Sequence, residues 1–231
     1  MAHFKNVLTK EEVLKLSSHV VETVTKGGKQ FKQVIHANFD RMDIFAGSIY
    51  YMLEGDRLML LVVDYKPDGG AEFVKFPGGI SLPAENETVI QTCIRESQEE
   101  CGFKPIMESS ELIFWKYSSA DHRNCHHWKT FWLHHKKTGS LRSVSNSDHG
   151  ENSPARWVPA EEVARKIHHT HWLACKRAIE SICNRLNGST EPFAAAACWY
   201  AWNEGVLVRQ KQVDEYFQTK KAEKEQEKKA S

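Results

Sequence analysis

Arg95, Glu96, Glu99 and Glu100 concentrate four ionic side chains in one short run of this chain. At 100° per residue, the three glutamates of a helical run share an arc roughly 100° wide. Like charges so spaced repel one another, and a helix tolerates them best with a cation between them. Carboxylate oxygens are hard donors and suit Mg²⁺ or Mn²⁺. An ion held this way can bridge phosphate oxygens, polarise phosphorus and position an attacking water. Arg95 precedes Glu99 by one helical turn and reads as a brace for a glutamate on its flank. A charged helical run alone is more often a solvated face. Here it follows a Pro77-Gly78-Gly79 turn and stops at Gly102, and glycines at such a turn let backbone approach a ligand.

The run needs a helix to present it, and residues 87–100 supply the pattern. Ile90, Cys93, Ser97 and Cys101 fall on one side with Ile94 at the edge, and Gly102 ends the element as a C-terminal glycine does. Strands are expected upstream at 48–53, 57–63 and 73–76, the first two joined by Glu54-Gly55-Asp56. Downstream, strands are expected at 112–117, 127–135 and 156–158. Residues 136–139 read as a turn and 143–153 as a loop. Helices are expected at 159–167, opened by Pro159, and at 173–186. At the N-terminus, Thr9 and Glu12 stand at capping-box spacing, and Val13, Leu16, Val20 and Val21 predict a helix over 9–25. These elements predict an α/β fold. Residues 1–44 form an N-terminal helical extension, 45–187 the main domain, and 188–231 a C-terminal helical extension with a charged, frayed tail.

Bulk properties narrow the function classes. Of 231 residues, 41% are hydrophobic and 26% charged, an ordinary globular mixture. A formal net charge of +1 offers no global field for nucleic acid or an anionic membrane, so an anionic substrate must be captured locally. Six cysteines include no C-x-x-C pair, which favours a reducing compartment. The start of the chain shows no apolar signal core and no run long enough to span a bilayer, so the expectation is a cytoplasmic protein without a membrane partner.

The segment from Gly78 to Phe103 resembles the Nudix box, G-x5-E-x7-R-E-U-x-E-E-x-G-U with U a bulky apolar residue. Glu87 takes the first Glu position, and Arg95, Glu96, Glu99, Glu100, Gly102 and Phe103 fill theirs. Two positions depart: the pattern's leading Gly falls at Ser81 while the glycines stand at Gly78 and Gly79, and Ser97 occupies an aliphatic position. The resemblance implies a Nudix-like α/β/α sandwich with a mixed sheet. It implies a Mg²⁺- or Mn²⁺-dependent hydrolase acting on a pyrophosphate linkage of a nucleoside diphosphate derivative, such as a nucleotide sugar, a dinucleotide polyphosphate or a capped RNA. The alternative is a non-catalytic nucleotide- or RNA-binding module on the same fold. By resemblance Glu96, Glu99 and Glu100, with the backbone of Gly79, hold metal. Glu99, Glu96 and Arg95 are the catalytic candidates, and Glu151 in a later loop is a further candidate for the base. Arg95 and Glu87 would orient the loop and the glutamates, and Glu87 and Gly78 are also assigned to the substrate side.

Trp115 and Trp128 are substrate-stacking candidates, although aromatic residues on strands are more often core. His122, His126, His127, His134 and His135 match no closed zinc pattern and read as ordinary strand surface. Thr130, Trp132 and His134 share one strand face with Trp128, opposite Phe131 and Leu133. His168, His169 and His171 read as surface residues at a helix end. The partner expected is a nucleotide-type small molecule; RNA has no support of its own. Residues 193–217 either form a homodimer contact or cover a sheet edge.

Overall fold

The structure is a computed structural model that describes residues 20–26, 29–35, 41–66, 72–81, 87–120, 125–141 and 154–230. The described strands are β1 (Val20–Lys26), β2 (Lys29–Ile35), β3 (Arg41–Glu54), β4 (Arg57–Tyr65), β5 (Phe73–Lys75), β6 (Gly78–Ile80), β7 (Lys104–Pro105), β8 (Ser110–Ala120), β9 (Cys125–His134), β10 (Lys137–Thr138) and β11 (Arg156–Pro159). The helices are α1 (Val89–Cys101), α2 (Ala160–Lys166), α3 (Trp172–Leu186), α4 (Ala194–Trp199) and α5 (Val208–Ala230), with a π-helical stretch at Tyr200–Leu207. None of the described helices is long and apolar enough to cross a membrane.

The expected helix over 9–25 is corrected in its second half. Val20–Lys26 is a strand paired antiparallel with Lys29–Ile35, from Val20 opposite Ile35 to Lys26 opposite Lys29. Val20, Val21, Thr23, Val24 and Thr25 are β-branched and prefer a pleated strand, and a two-glycine connection suits a hairpin. Residues 1–19 lie outside the described residues.

The chain divides into two compact units: residues 1–50 with 76–155, and residues 51–75 with 156–231. In the first, β3 runs parallel to β9 and antiparallel to β6, and β9 runs antiparallel to β8. This is the mixed sheet that the sequence predicts. Ile44 and Ala46 of β3, Leu112 of β8 and Trp132 of β9 bury against Val89 and Cys93 of α1. The opposite sheet face is aromatic, with Phe45, Phe76 and Phe114 around Phe131. Both faces of β9 are therefore buried from Thr130 to His134, which corrects the surface reading of His134. Residues 136–139, expected as a turn, contain strand β10, paired with β7. Lys137 ties it down, its ammonium 3.6 Å from the Phe103 ring centre.

In the second unit, β4 pairs with the end of β3, with β5 and with β11. Arg57 of β4 ion-pairs with Glu161 at 3.0 Å and lies 3.5 Å over the Tyr200 ring. Gly205 packs so closely on the backbone of Glu161 that a Cβ there would sit 2.7 Å from its Cα. Part of residues 193–217 thus packs on its own unit, while Tyr216 and Phe217 of α5 stay exposed. His171 is buried, not a surface residue as expected.

Burial also sets how His134 titrates. Loss of hydration, aided by nearby His135, pushes its pKa down to about 3. The unfolded chain takes this proton near pH 6.5 and the folded chain does not, so stability falls with pH between the two values, by at most about 1.4 kcal/mol per pH unit. Urea unfolding of His134→Gln between about pH 6 and pH 4 should show a shallower loss of stability than the parent. Equal slopes would mean that His134 titrates as a solvated imidazole.

Candidate active site

Helix α1 is fixed at both ends by its own sequence. At the start, the Thr88 hydroxyl accepts from the Gln91 N–H at 3.2 Å, and the Gln91 side chain accepts from the Thr88 N–H at 2.8 Å, a reciprocal cap. At the end, Gly102 adopts φ 72°, Gly102 N–H donates to Gln98 at 3.0 Å and Phe103 N–H to Ser97 at 3.2 Å. Val89, Thr92, Cys93, Ser97 and Cys101 face inward, which leaves the glutamate arc on the outer flank.

Arg95 sits at the centre of that arc. Its Nε and Nη2 form a fork onto Glu87, at 2.8 and 3.0 Å. Nη1 donates to Glu96 at 2.7 Å and to Glu99 at 2.9 Å, and Nη2 also reaches the Ile80 carbonyl at 3.0 Å. Planar bidentate geometry of this kind fixes direction as well as charge. Glu87 is buried, both its oxygens are engaged by Arg95, and one also accepts from Thr92. Glu87, expected both to orient the glutamates and on the substrate side, therefore lies behind Arg95 as its anchor. The Ile80 carbonyl, a candidate metal donor by position, is taken by the same guanidinium.

The paired glycines lie in β6, not in a loop. Gly78 has φ 146°, and a Cβ there would meet the Ala46 carbonyl oxygen at 2.3 Å, so no other residue fits. Its N–H donates to Glu100 Oε2 at 2.5 Å. At Gly79 a Cβ would lie 2.3 Å from Glu96 Oε1. The missing side chain at 79 is thus the space that the Glu96 carboxylate fills. The displacement of the glycines from the motif's leading position places them under two of the three glutamates.

The three carboxylates differ in setting. Glu96 is nearly buried, and burial lifts its pKa above the ordinary carboxylate value although Arg95 pulls the other way. Glu99 is half exposed. Glu100 is tied to β6 through Gly78. Among the described residues, no three His, Cys, Asp or Glu side chains converge tightly enough to hold an ion as they stand. The donor set still fits one: three hard carboxylates on one arc, one of them carrying a desolvation cost that a cation would offset. Trp115 packs at the edge of the Ile44–Trp132 core cluster. The backbone of Trp128 lies in β9, but its side chain is not described. Glu151 lies outside the described residues.

Residues 46–176 match the family model of the NUDIX domain. The chain belongs to this family. No curated protein sequence matches it. Among solved structures, the NUDIX domain here is similar to the E. coli ORF135 protein, with 16% identity and TM-score 0.46 over 65% of this chain and 96% of that one. It is similar to a MutT from work on Aliivibrio salmonicida and Vibrio cholerae, with 20% identity and TM-score 0.43 over 61% and 98%. It is also similar to the NUDIX domain of Shewanella oneidensis NrtR complexed with ADP ribose, with 16% identity and TM-score 0.44 over 60% and 86%.

Two participants were not foreseen from sequence. Thr92 supports Glu87 and carries no motif signal. Ser48 bonds Ser97 from β3 at 2.6 Å, so the hydroxyl at the aliphatic motif position is satisfied across the sheet and not within its own helix. The alternation of Ile44, Ala46, Ser48 and Tyr50 on one face of β3 was the available clue.

Two substitutions test this geometry. Arg95→Ala removes the guanidinium fork from the buried Glu87 carboxylate and should cost about 3 kcal/mol of unfolding free energy, read by urea denaturation. A change within error would show the fork to be incidental. Gly79→Ala pushes a methyl into the Glu96 carboxylate, which can swing aside. Mn²⁺ affinity should drop about tenfold while the melting temperature stays near that of the parent. Unchanged affinity would remove Glu96 from any ion site.

Proposed function

We propose that this NUDIX domain, taken as residues 45–187, hydrolyses the pyrophosphate linkage of a nucleoside diphosphate derivative with Mg²⁺ or Mn²⁺. The observation that carries the reading is the Arg95 hub, which gathers Glu96 and Glu99 beside the Gly78–Gly79 strand to which Glu100 is tied. Glu96, Glu99 and Glu100 would hold the cation, with a backbone oxygen near Gly79 as a further donor. A bound cation supplies charge neutralisation on the phosphate oxygens and polarisation of the attacked phosphorus.

The remaining chemistry belongs to the chain's own groups. Glu99, the most exposed of the three, takes a proton from the attacking water; Glu151 is the alternative base. The water oxygen forms the new bond to phosphorus, and the bridging P–O bond breaks, its oxygen leaving with the other phosphoryl group. Arg95 keeps the glutamates apart at fixed spacing, and its fork onto Glu87 keeps it from swinging onto the substrate. Because Gly78 and Gly79 have no side chains, the backbone of β6 lies close against Ala46 and leaves room for the Glu96 carboxylate. The substrate class includes nucleotide sugars, dinucleotide polyphosphates and capped RNA ends. The five described free cysteines support placing the protein in a reducing compartment such as the cytoplasm.

A mixed panel of these nucleotides, incubated with Mg²⁺ or Mn²⁺, should yield phosphomonoester products. Glu99→Gln and Glu100→Gln should each lower turnover by roughly 100-fold or more, since a direct ligand matters at least as much as the partners behind it. Binding of a panel member with no turnover would instead identify a non-catalytic nucleotide-binding module.

A further inference from the structure

Beneath the glutamate arc runs a buried polar chain that the proposed chemistry does not use. Ser97 Oγ lies 2.6 Å from Ser48 Oγ, which lies 3.3 Å from Cys93 Sγ. Cys93 Sγ lies 3.6 Å from His134 Nε2, and His134 Nδ1 lies 2.7 Å from Ser110 Oγ. Ser110 Oγ ends the chain on the Ile106 carbonyl at 2.9 Å. Ser48, Cys93, Ser97 and His134 are buried. The Tyr50 ring, 4.7 Å from the imidazole, limits its freedom to turn.

One assignment of hydrogens satisfies every link in turn. The Ile106 carbonyl, which also takes the Ser109 N–H at 3.1 Å and the Ser109 hydroxyl at 3.0 Å, takes the Ser110 hydrogen in the arrangement proposed, and Ser110 then accepts from His134 Nδ1–H. The imidazole is then neutral with a bare Nε2, which accepts from the Cys93 thiol. The Cys93 sulfur accepts from Ser48, whose oxygen accepts from Ser97. One hydrogen serves each link, and the buried Tyr50 hydroxyl lies beside Ser48 and Ser97.

Cys93 and Ser97 are one turn apart on α1, and Ser97 is the immediate neighbour of Glu96. Two bonds along one helix edge oppose both rotation and sliding. The bonds resist rotation because hydrogen bonds weaken steeply as they misalign. The leverage is large: at a side-chain radius of about 6 Å, a turn of about 10° moves a carboxylate by roughly 1 Å.

We propose that Ser48, Cys93 and His134 are positioning residues that, through Ser97, fix the rotation of α1 and thereby the placement of Glu96, Glu99 and Glu100 against Gly78 and Gly79 of β6. The inference rests on the cation reading of those glutamates. Mn²⁺ titration followed by the electron spin resonance signal of the free ion tests it on the full chain, without substrate. Ser48→Ala and His134→Phe should each weaken Mn²⁺ binding about tenfold, the scale of partners lying behind metal ligands. Val163→Ala, a cavity in the buried core of α2 in the other unit, should lower unfolding stability and leave Mn²⁺ affinity as in the parent. Nitrogen-15 spectra of the parent should place the His134 proton on Nδ1. Affinities of both chain variants equal to the parent, an equal loss in Val163→Ala, or a proton on Nε2 would each overturn the proposal. A parent that binds no Mn²⁺ would instead overturn the cation reading on which it rests.

Discussion

The fork between Arg95 and Glu87 is the interaction on which the site depends. Glu87 is buried, and a buried carboxylate is costly unless paired and hydrogen-bonded. The structure meets that cost with a guanidinium that faces both ways. Its inner edge satisfies Glu87, and its remaining donors reach Glu96, Glu99 and the Ile80 carbonyl. Three carboxylates on one helical arc would otherwise spread apart. A residue held at the back by two hydrogen bonds can hold the front at fixed distances, which a flexible lysine in the same position would not do.

The glycine strand is the second fixed point, and it works through absence of atoms. Gly78 brings its backbone against Ala46 and offers its N–H to Glu100, and Gly79 leaves room for Glu96. Helix and strand are therefore matched at two adjacent positions, one by a hydrogen bond and one by the space that the Glu96 carboxylate occupies. The glutamate arc is placed partly by the helix and partly by the backbone it rests on.

Much of this was legible in the sequence because it was periodic or local. The α1 pattern, its glycine stop and the strands flanking it follow from spacing alone, and the motif centre named the glutamates. The misses have a common physical cause. The helix expected over 9–25 carries a helical period through Val20 and Val21, while the β-branched run there and the glycine pair after it favour a hairpin. His134 was read as surface because a polar residue in a strand usually is; only its partners, Cys93 and Ser110, both distant in sequence, make its burial tolerable. The role of Glu87 was half visible: its motif position was plain, but its commitment to Arg95 depends on rotamers that no pattern encodes.

The second unit has a consequence for how the protein is made. It is assembled from residues 51–75 and 156–231, with all of residues 76–155 between them in the chain. Strand β4 emerges from the ribosome long before β11 exists to pair with it, and Arg57 long before Glu161 or Tyr200. Contacts this distant in sequence close late and slowly. Until then, β4 offers an apolar edge, Leu58 to Val63, to any other chain in the same state. The vulnerable moment for this protein is therefore the interval of its own synthesis, and substitutions in the last third of the chain will show first as lost yield of soluble protein.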